Sequence, residues 1–258
     1  MNTRSPLKPW PIIFVALCII LFMYIRPVTV LLSTRWLLRN ESALWIVPRP
    51  LSLGVHKPST GRMFSYFGYE FESPWAELRR ERQFESAVVL NFSTGGVIAE
   101  FAPAKNGSEL DALKHGAASR GVDIGNLFGH EATRSNYKLR TKVLSMTPHD
   151  LRLFSARQEM VENSLLLTVK ALGIRRVRGG LFSFQTDSLR GFQEGDPALD
   201  NVVFVEAFDS QDHKIELYIG AEPAAKTKPS QTDINQILLS LRPIKRAPSS
   251  EDSSTPPR

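Results

Sequence analysis

The chain has 258 residues, 42% of them hydrophobic, with 32 lysines and arginines against 26 aspartates and glutamates for a formal net charge of +6, and one cysteine, Cys18. Residues 1–39 hold Arg4, Lys8, Arg26, Arg35 and Arg39 and no acid, which leaves 27 basic residues against all 26 acidic ones in the remainder. A nearly neutral bulk behind a basic start argues against a nucleic-acid footprint and for anionic headgroups near that start, and a lone cysteine excludes an intrachain disulfide or a thiolate zinc site.

After a tail at 1–9, the first element is Trp10–Ile25, WPIIFVALCIILFMYI, sixteen residues without a charge between Lys8 and Arg26. A helix over it spans about 24 Å at ~1.5 Å per residue, slightly short of a roughly 30 Å hydrocarbon core. Trp10 and Tyr24 at the headgroups and the snorkelling Arg26 make up the difference. The expectation is a transmembrane helix over 10–26. A cleaved signal peptide shares the basic start but needs small residues after the apolar core, and here Met23, Tyr24, Ile25, Arg26 and Pro27 follow instead. Cys18 lies in the middle of the run, after Val15, Ala16 and Leu17, where a lipidation signal does not place it. Basic residues on the two sides are balanced, so charge gives no orientation. A ten-residue charged tail is usually left in the cytoplasm, and the expectation is a single-pass signal-anchor with the soluble domain on the outer face.

Residues 27–61 read as an interfacial helix and a Pro-rich linker. Leu31, Leu32, Trp36, Leu37 and Leu38 are interrupted by Arg35 and Arg39, a pattern for the headgroup boundary, and Pro48, Pro50 and Pro58 then break the run. The candidate membrane-interface residues are Lys8, Trp10, Tyr24, Arg26, Arg35, Trp36 and Arg39. Deleting 1–50 is expected to release a folded domain.

The soluble domain is set at 62–243. Met63–Glu72 reads as one aromatic strand, and 87–92 and 96–101 as a hairpin across Ser93, Thr94 and Gly95, with positive φ at Gly95 and Gly96. Ser108 and Ser135 cap helices, and Thr147-Pro148 with Asp150 starts a long one that runs to Gly173. Strands follow at 181–186, 202–208 and 214–219, the last two joined by Asp209-Ser-Gln-Asp212. Between the first two lies Arg190-Gly-Phe-Gln-Glu-Gly-Asp-Pro197, read as a loop whose Arg190, Phe192, Glu194 and Asp196 form a candidate binding edge. Ser230 caps a closing helix with Ile234, Ile237, Leu238 and Leu241 on one stripe, halted by Pro243. The tail from 244 is Pro- and Ser-rich and reads as disordered.

Strands, then helices, then strands, then a helix, with hairpins at two places, predict an α+β domain, an antiparallel sheet flanked by helices. That order, with the aromatic opening Phe64-Ser-Tyr-Phe-Gly-Tyr69 and the capped closing helix ending in Ser-Leu-Arg-Pro243, resembles the PsbP/Mog1 family of α+β sandwiches. The helical stretch 135–172 departs from a minimal member. The resemblance implies an accessory or binding protein rather than a catalyst, and transfers no site residue.

His56, His115, His130, His149 and His213 fall one to an element, and His130-Glu131 lacks the second histidine of a metalloprotease helix. No nucleophile elbow, phosphate loop or dinucleotide fingerprint occurs. The reading is therefore no catalytic, cofactor or metal site. The basic clusters Arg79, Arg80, Arg82 and Arg175, Arg176, Arg178 read as solvated surface, or as a membrane-proximal face. The expected function is a membrane-anchored binding or assembly module, its partners the lipid bilayer and another membrane or envelope protein. The alternative is a membrane-tethered hydrolase-like enzyme.

Overall fold

Period-two alternation of apolar residues builds the frame, because each strand can then bury one face. The computed structural model describes residues 42–55, 61–103, 109–119, 123–152, 157–173, 180–223, 225 and 227–244. Its elements in chain order are β1 (Arg49–Pro50), β2 (Met63–Tyr66), β3 (Tyr69–Glu72), β4 (Leu78–Gln83), β5 (Ala87–Phe92), β6 (Gly96–Phe101), α1 (Glu109–Ala118), α2 (Ile124–Phe128), α3 (Asn136–Ser145), α4 (Arg157–Gly173), β7 (Leu181–Gln185), β8 (Arg190–Glu194), β9 (Val202–Phe208), β10 (Lys214–Ala221), α5 (Gln231–Ser240) and β11 (Arg242–Pro243). An eight-stranded sheet runs β1-β7-β8-β9-β10-β6-β5-β4, and a three-stranded one runs β11-β3-β2. Every pair is antiparallel except β1 with β7. The fold is α+β, a large sheet flanked by helices.

Three layers result. On one face of the large sheet, Val88, Leu90, Phe92, Ile98, Val203, Val205, Ile215 and Leu217 meet the small sheet's Phe64, Tyr69 and Phe71 and the α5 stripe Ile234, Ile237, Leu238 and Leu241. Ser230 and Asp233 form the capping box that starts α5. On the other face, Phe192 and Phe208 pack with Leu144 of α3, and Tyr137 closes over them. Outside α3, a helical core joins Val143 and Met146 to Phe128, Met160, Leu166 and Leu167.

The structure departs from the sequence reading where local signals compete with tertiary ones. Met63–Glu72 is a hairpin, not one strand: Phe67 (φ 46°) and Gly68 (φ 90°) form a two-residue turn with both central residues left-handed. At the next hairpin only Gly95 has positive φ; Gly96 is there because a Cβ would come within 2.8 Å of the Trp75 ring. The Thr147/Asp150 capping box closes a single 3-10 turn, Pro148–Asp150, and the helix does not run on through Leu151 and Arg152; α4 is described over Arg157–Gly173. Arg79, Arg80 and Arg82 lie on the edge strand β4, where charge protects a sheet margin from unwanted pairing, and Arg79 is bonded to Glu222.

The segment read as interfacial helix and linker is, over its described residues 42–55, built into the domain. Leu44 is buried in the helical core, Arg49 and Pro50 pair with Phe182 and Ser183, and Leu51 and Leu53 pack on the main core. The fastening is Lys170 on α4. Fully buried, its Nζ donates to the carbonyls of Leu44 (3.2 Å), Ile46 (2.8 Å) and Met146 (2.6 Å). Burial pulls its pKa down to about 8, and the three oxygens stand in for the lost water. The expected transmembrane helix over 10–26 and the interface residues Lys8, Trp10, Tyr24, Arg26, Arg35, Trp36 and Arg39 lie outside the described residues, as do Arg175, Arg176 and Arg178.

A chain lacking 1–50 loses Leu44 and two of the three Lys170 acceptors, whereas one lacking 1–41 keeps both. The shorter chain should be less stable by roughly 3–5 kcal/mol, a lost core leucine plus a buried ammonium left short of partners. Denaturant unfolding of the two truncations measures the difference, and equal midpoints would show that Lys170 fastens nothing.

Candidate functional site

Two hairpin turns face each other across a cleft of about 760 Å³. One wall is the β2–β3 turn with Phe67, Gly68 and Tyr69, continued by Pro243 and Ile244; the other is the β9–β10 turn with Asp209, Ser210, Gln211 and His213, and Pro103 lies at the end of β6. The hairpin twist holds Phe67 at its left-handed φ, and the Ile244 amide bonds the Gly68 carbonyl at 2.8 Å.

Asp209 organises the polar wall. Its Oδ1 accepts from the backbone amides of Gln211 and His213, both at 2.9 Å, and its Oδ2 accepts from the Tyr69 hydroxyl and from His213 Nδ1, both at 3.1 Å. A carboxylate is acceptor-only, so His213 Nδ1 donates to it and Nε2 is left outside the pair, on a ring that is 60% exposed. Burial, with the Asp209 charge and hydrogen bond, raises the Tyr69 pKa, so this phenol stays a donor and does not serve as a base.

On the same face of the large sheet sits Glu100, opposite Val88 and Leu217 in register. Its two carboxylate oxygens are buried and have no hydrogen-bond partner. Burial lifts its pKa to about 8, and its charge is one of the influences that raise Tyr69. The carboxyl is therefore neutral at pH 7, as an isolated buried acid must be.

The segment read as a loop carrying the binding edge is mostly strand. Arg190, Phe192 and Glu194 belong to β8, an interior strand hydrogen-bonded to β7 and β9. Arg190 lies over the Tyr137 ring at 4.3 Å, and Tyr137 stacks on buried Phe192 at 5.5 Å. Glu194 pairs with Arg140 of α3 at 3.0 Å, and the same guanidinium reaches Glu206 at 2.6 Å. Asp196 turns its carboxylate onto the Ala198 amide at 2.9 Å. The segment looks loop-like because glycine and charge interrupt it, yet its Arg190 and Glu194 are held by α3. Sequence reasoning missed Tyr69, Asp209 and His213 as a group. The available signal was an aspartate and a histidine four residues apart across a hairpin turn.

Among the described residues no three His, Cys, Asp or Glu groups gather at metal-binding distance. A second hollow of about 430 Å³ beside α3 is lined by Lys138 and Lys142, already bonded to Glu131 and Glu162. On the helix-side face, the rings of Phe204, Tyr218 and Phe101 touch in a row across three strands, at 4.8 and 5.0 Å between centroids. No family model, curated protein or solved structure matches the chain.

Two outcomes follow. Tyr69→Phe should cost about 1 kcal/mol for one lost hydrogen bond, and Asp209→Ala about 2–4 kcal/mol because it strands several donors, as urea unfolding at pH 7 would read. Glu100→Gln should abolish a pH dependence. The folded chain holds a proton that an unfolded glutamate releases near 4.5, so wild-type stability falls as pH rises from about 4.5 to about 8 and loses no more above that. Melting temperatures across that range should converge at the acid end and favour the variant increasingly up to pH 8.

Proposed function

We propose that this chain is a membrane-anchored binding or assembly module, held by a transmembrane helix over 10–26 and taking its ligand in the cleft between the β2–β3 and β9–β10 turns. The observation that carries the reading is the state of the cleft's polar wall. Asp209 spends both oxygens on protein donors, and the Tyr69 hydroxyl is tied to it. The facing wall of Phe67, Pro243 and Ile244 is aromatic and apolar, suited to a ligand that fills space beside a few fixed polar groups. The apolar run of sixteen residues supports the anchor, with the domain on the outer face. The PsbP/Mog1-like order of elements points the same way, toward accessory proteins. The partner of such a module is another membrane or envelope protein.

One observation favours the alternative, a membrane-tethered hydrolase-like enzyme: the Asp209–His213 pair, which orients an imidazole with Nε2 left outside the pair, as a general base requires. No nucleophile is bonded to that imidazole among the hydrogen bonds of the described residues.

A photo-crosslinking amino acid at Phe67 of the full chain in membranes should give a discrete protein adduct, and the same group at Thr232, on exposed α5 surface, should give none. Absence of an adduct at Phe67, together with ester or amide turnover lost in His213→Ala, would replace the module with the enzyme.

A further inference from the structure

One helix of the helical core leaves apolar residues exposed. α4 packs on α2, α3 and the 3-10 turn Ser42–Trp45, and α3 in turn packs on β8 and β9, so α3 lies between α4 and the large sheet there. Its inward residues Met160, Leu166, Leu167 and Lys170 are buried, yet Leu165 and Val169, one helical turn apart, are 37% and 40% exposed. Beside α4, at the point where the chain enters the domain, Trp45 is 50% and Val47 41% exposed. Lys170 binds the two segments together through the carbonyls of Leu44 and Ile46. The acid flanking the stripe, Glu162, is neutralised by Lys142.

We infer that this surface, Trp45, Val47, Leu165 and Val169, lies against the lipid bilayer. The inference rests on the anchor reading, and three facts favour lipid over another occupant. The apolar run ends at Ile25 and sixteen residues separate it from Ser42, a tether of at most about 60 Å, so the entry point is the part of the domain that the anchor keeps most closely within reach of the headgroups. A tryptophan at that entry suits the interface, where an amphipathic ring is most favourable. The chain also leaves α4 through Ile174-Arg-Arg-Val-Arg-Gly179, three arginines within six residues, matched to anionic headgroups. In this orientation the small-sheet layer, and with it the cleft, is on the far side of the large sheet from lipid and open to a partner in water.

Nitroxide labels report the contact directly in the full chain. With Cys18→Ser as background, labels are placed singly at Leu165→Cys, Val169→Cys and, as a water-exposed control, Thr232→Cys. Each protein is reconstituted in phosphatidylcholine vesicles carrying phosphatidylglycerol. At 165 and 169, collisions with oxygen relative to a water-soluble nickel chelate should exceed the ratio at 232 several-fold. Protein that floats with the vesicles but shows the control's ratio at both sites would overturn the inference and leave the anchor standing. Low collision with both reagents would mean that a second copy or another protein covers the stripe, which also overturns it. Protein that does not float would remove the anchor and the inference together.

Discussion

A single four-residue turn ties the three layers of this domain together. Between β9 and β10, Asp209 and Asp212 send their carboxylates in opposite directions. Asp209 reaches the Tyr69 hydroxyl of the small sheet, while Asp212, held at φ 66°, accepts the first amides of α3, Asn136 and Tyr137. The Asn136 side chain returns a bond to the Asp212 carbonyl and receives one from the Leu110 amide, so α1 is fastened through the same point. Helix starts present unsatisfied N–H groups and positive potential, and a carboxylate there meets both needs. The cleft depends on this turn, because the backbone that caps α3 also sets the polar wall.

Between the layers the protein buries charge where apolar residues would have been simpler. Arg140 spans Glu194 and Glu206 beneath α3, and Lys214 links Glu206 to Glu216. Such pairs add little net stability over apolar packing but are costly to break singly, which makes them register marks. A one-turn slip of α3 would take Arg140 from both carboxylates at once. Lys170 does the same for the entry segment and Glu100 the opposite: it has no partner, keeps its proton, and makes the face beside Tyr69 sensitive to alkali.

What could be read from the chain alone was whatever local periodicity and capping chemistry express. The β5–β6 and β9–β10 hairpins, the Ser135 and Ser230 caps and the apolar stripe of α5 all lie where alternation and side-chain type place them. The split at Phe67-Gly68 escaped because an aromatic residue with positive φ is a tertiary compromise, held by the facing Phe64–Phe71 pair at 5.8 Å. β8 escaped for a related reason: a strand buried on both faces normally reads as an apolar run, and Arg-Gly-Phe-Gln-Glu hides that signal behind charges that only α3 makes tolerable.

By itself, then, the sequence determined the α+β class, the long apolar run at the N-terminus and the near-neutral charge of the remainder, since each is a property of composition or of neighbours within one turn or strand. Tertiary structure alone decided that residues 42–53 belong to the domain, that 190–194 is interior, and that Tyr69, Asp209 and His213 share a cleft wall. Tyr69 and Asp209 are 140 residues apart and meet only because two sheets pack face to face, and no local pattern encodes a contact whose partners are chosen by the burial of everything between them.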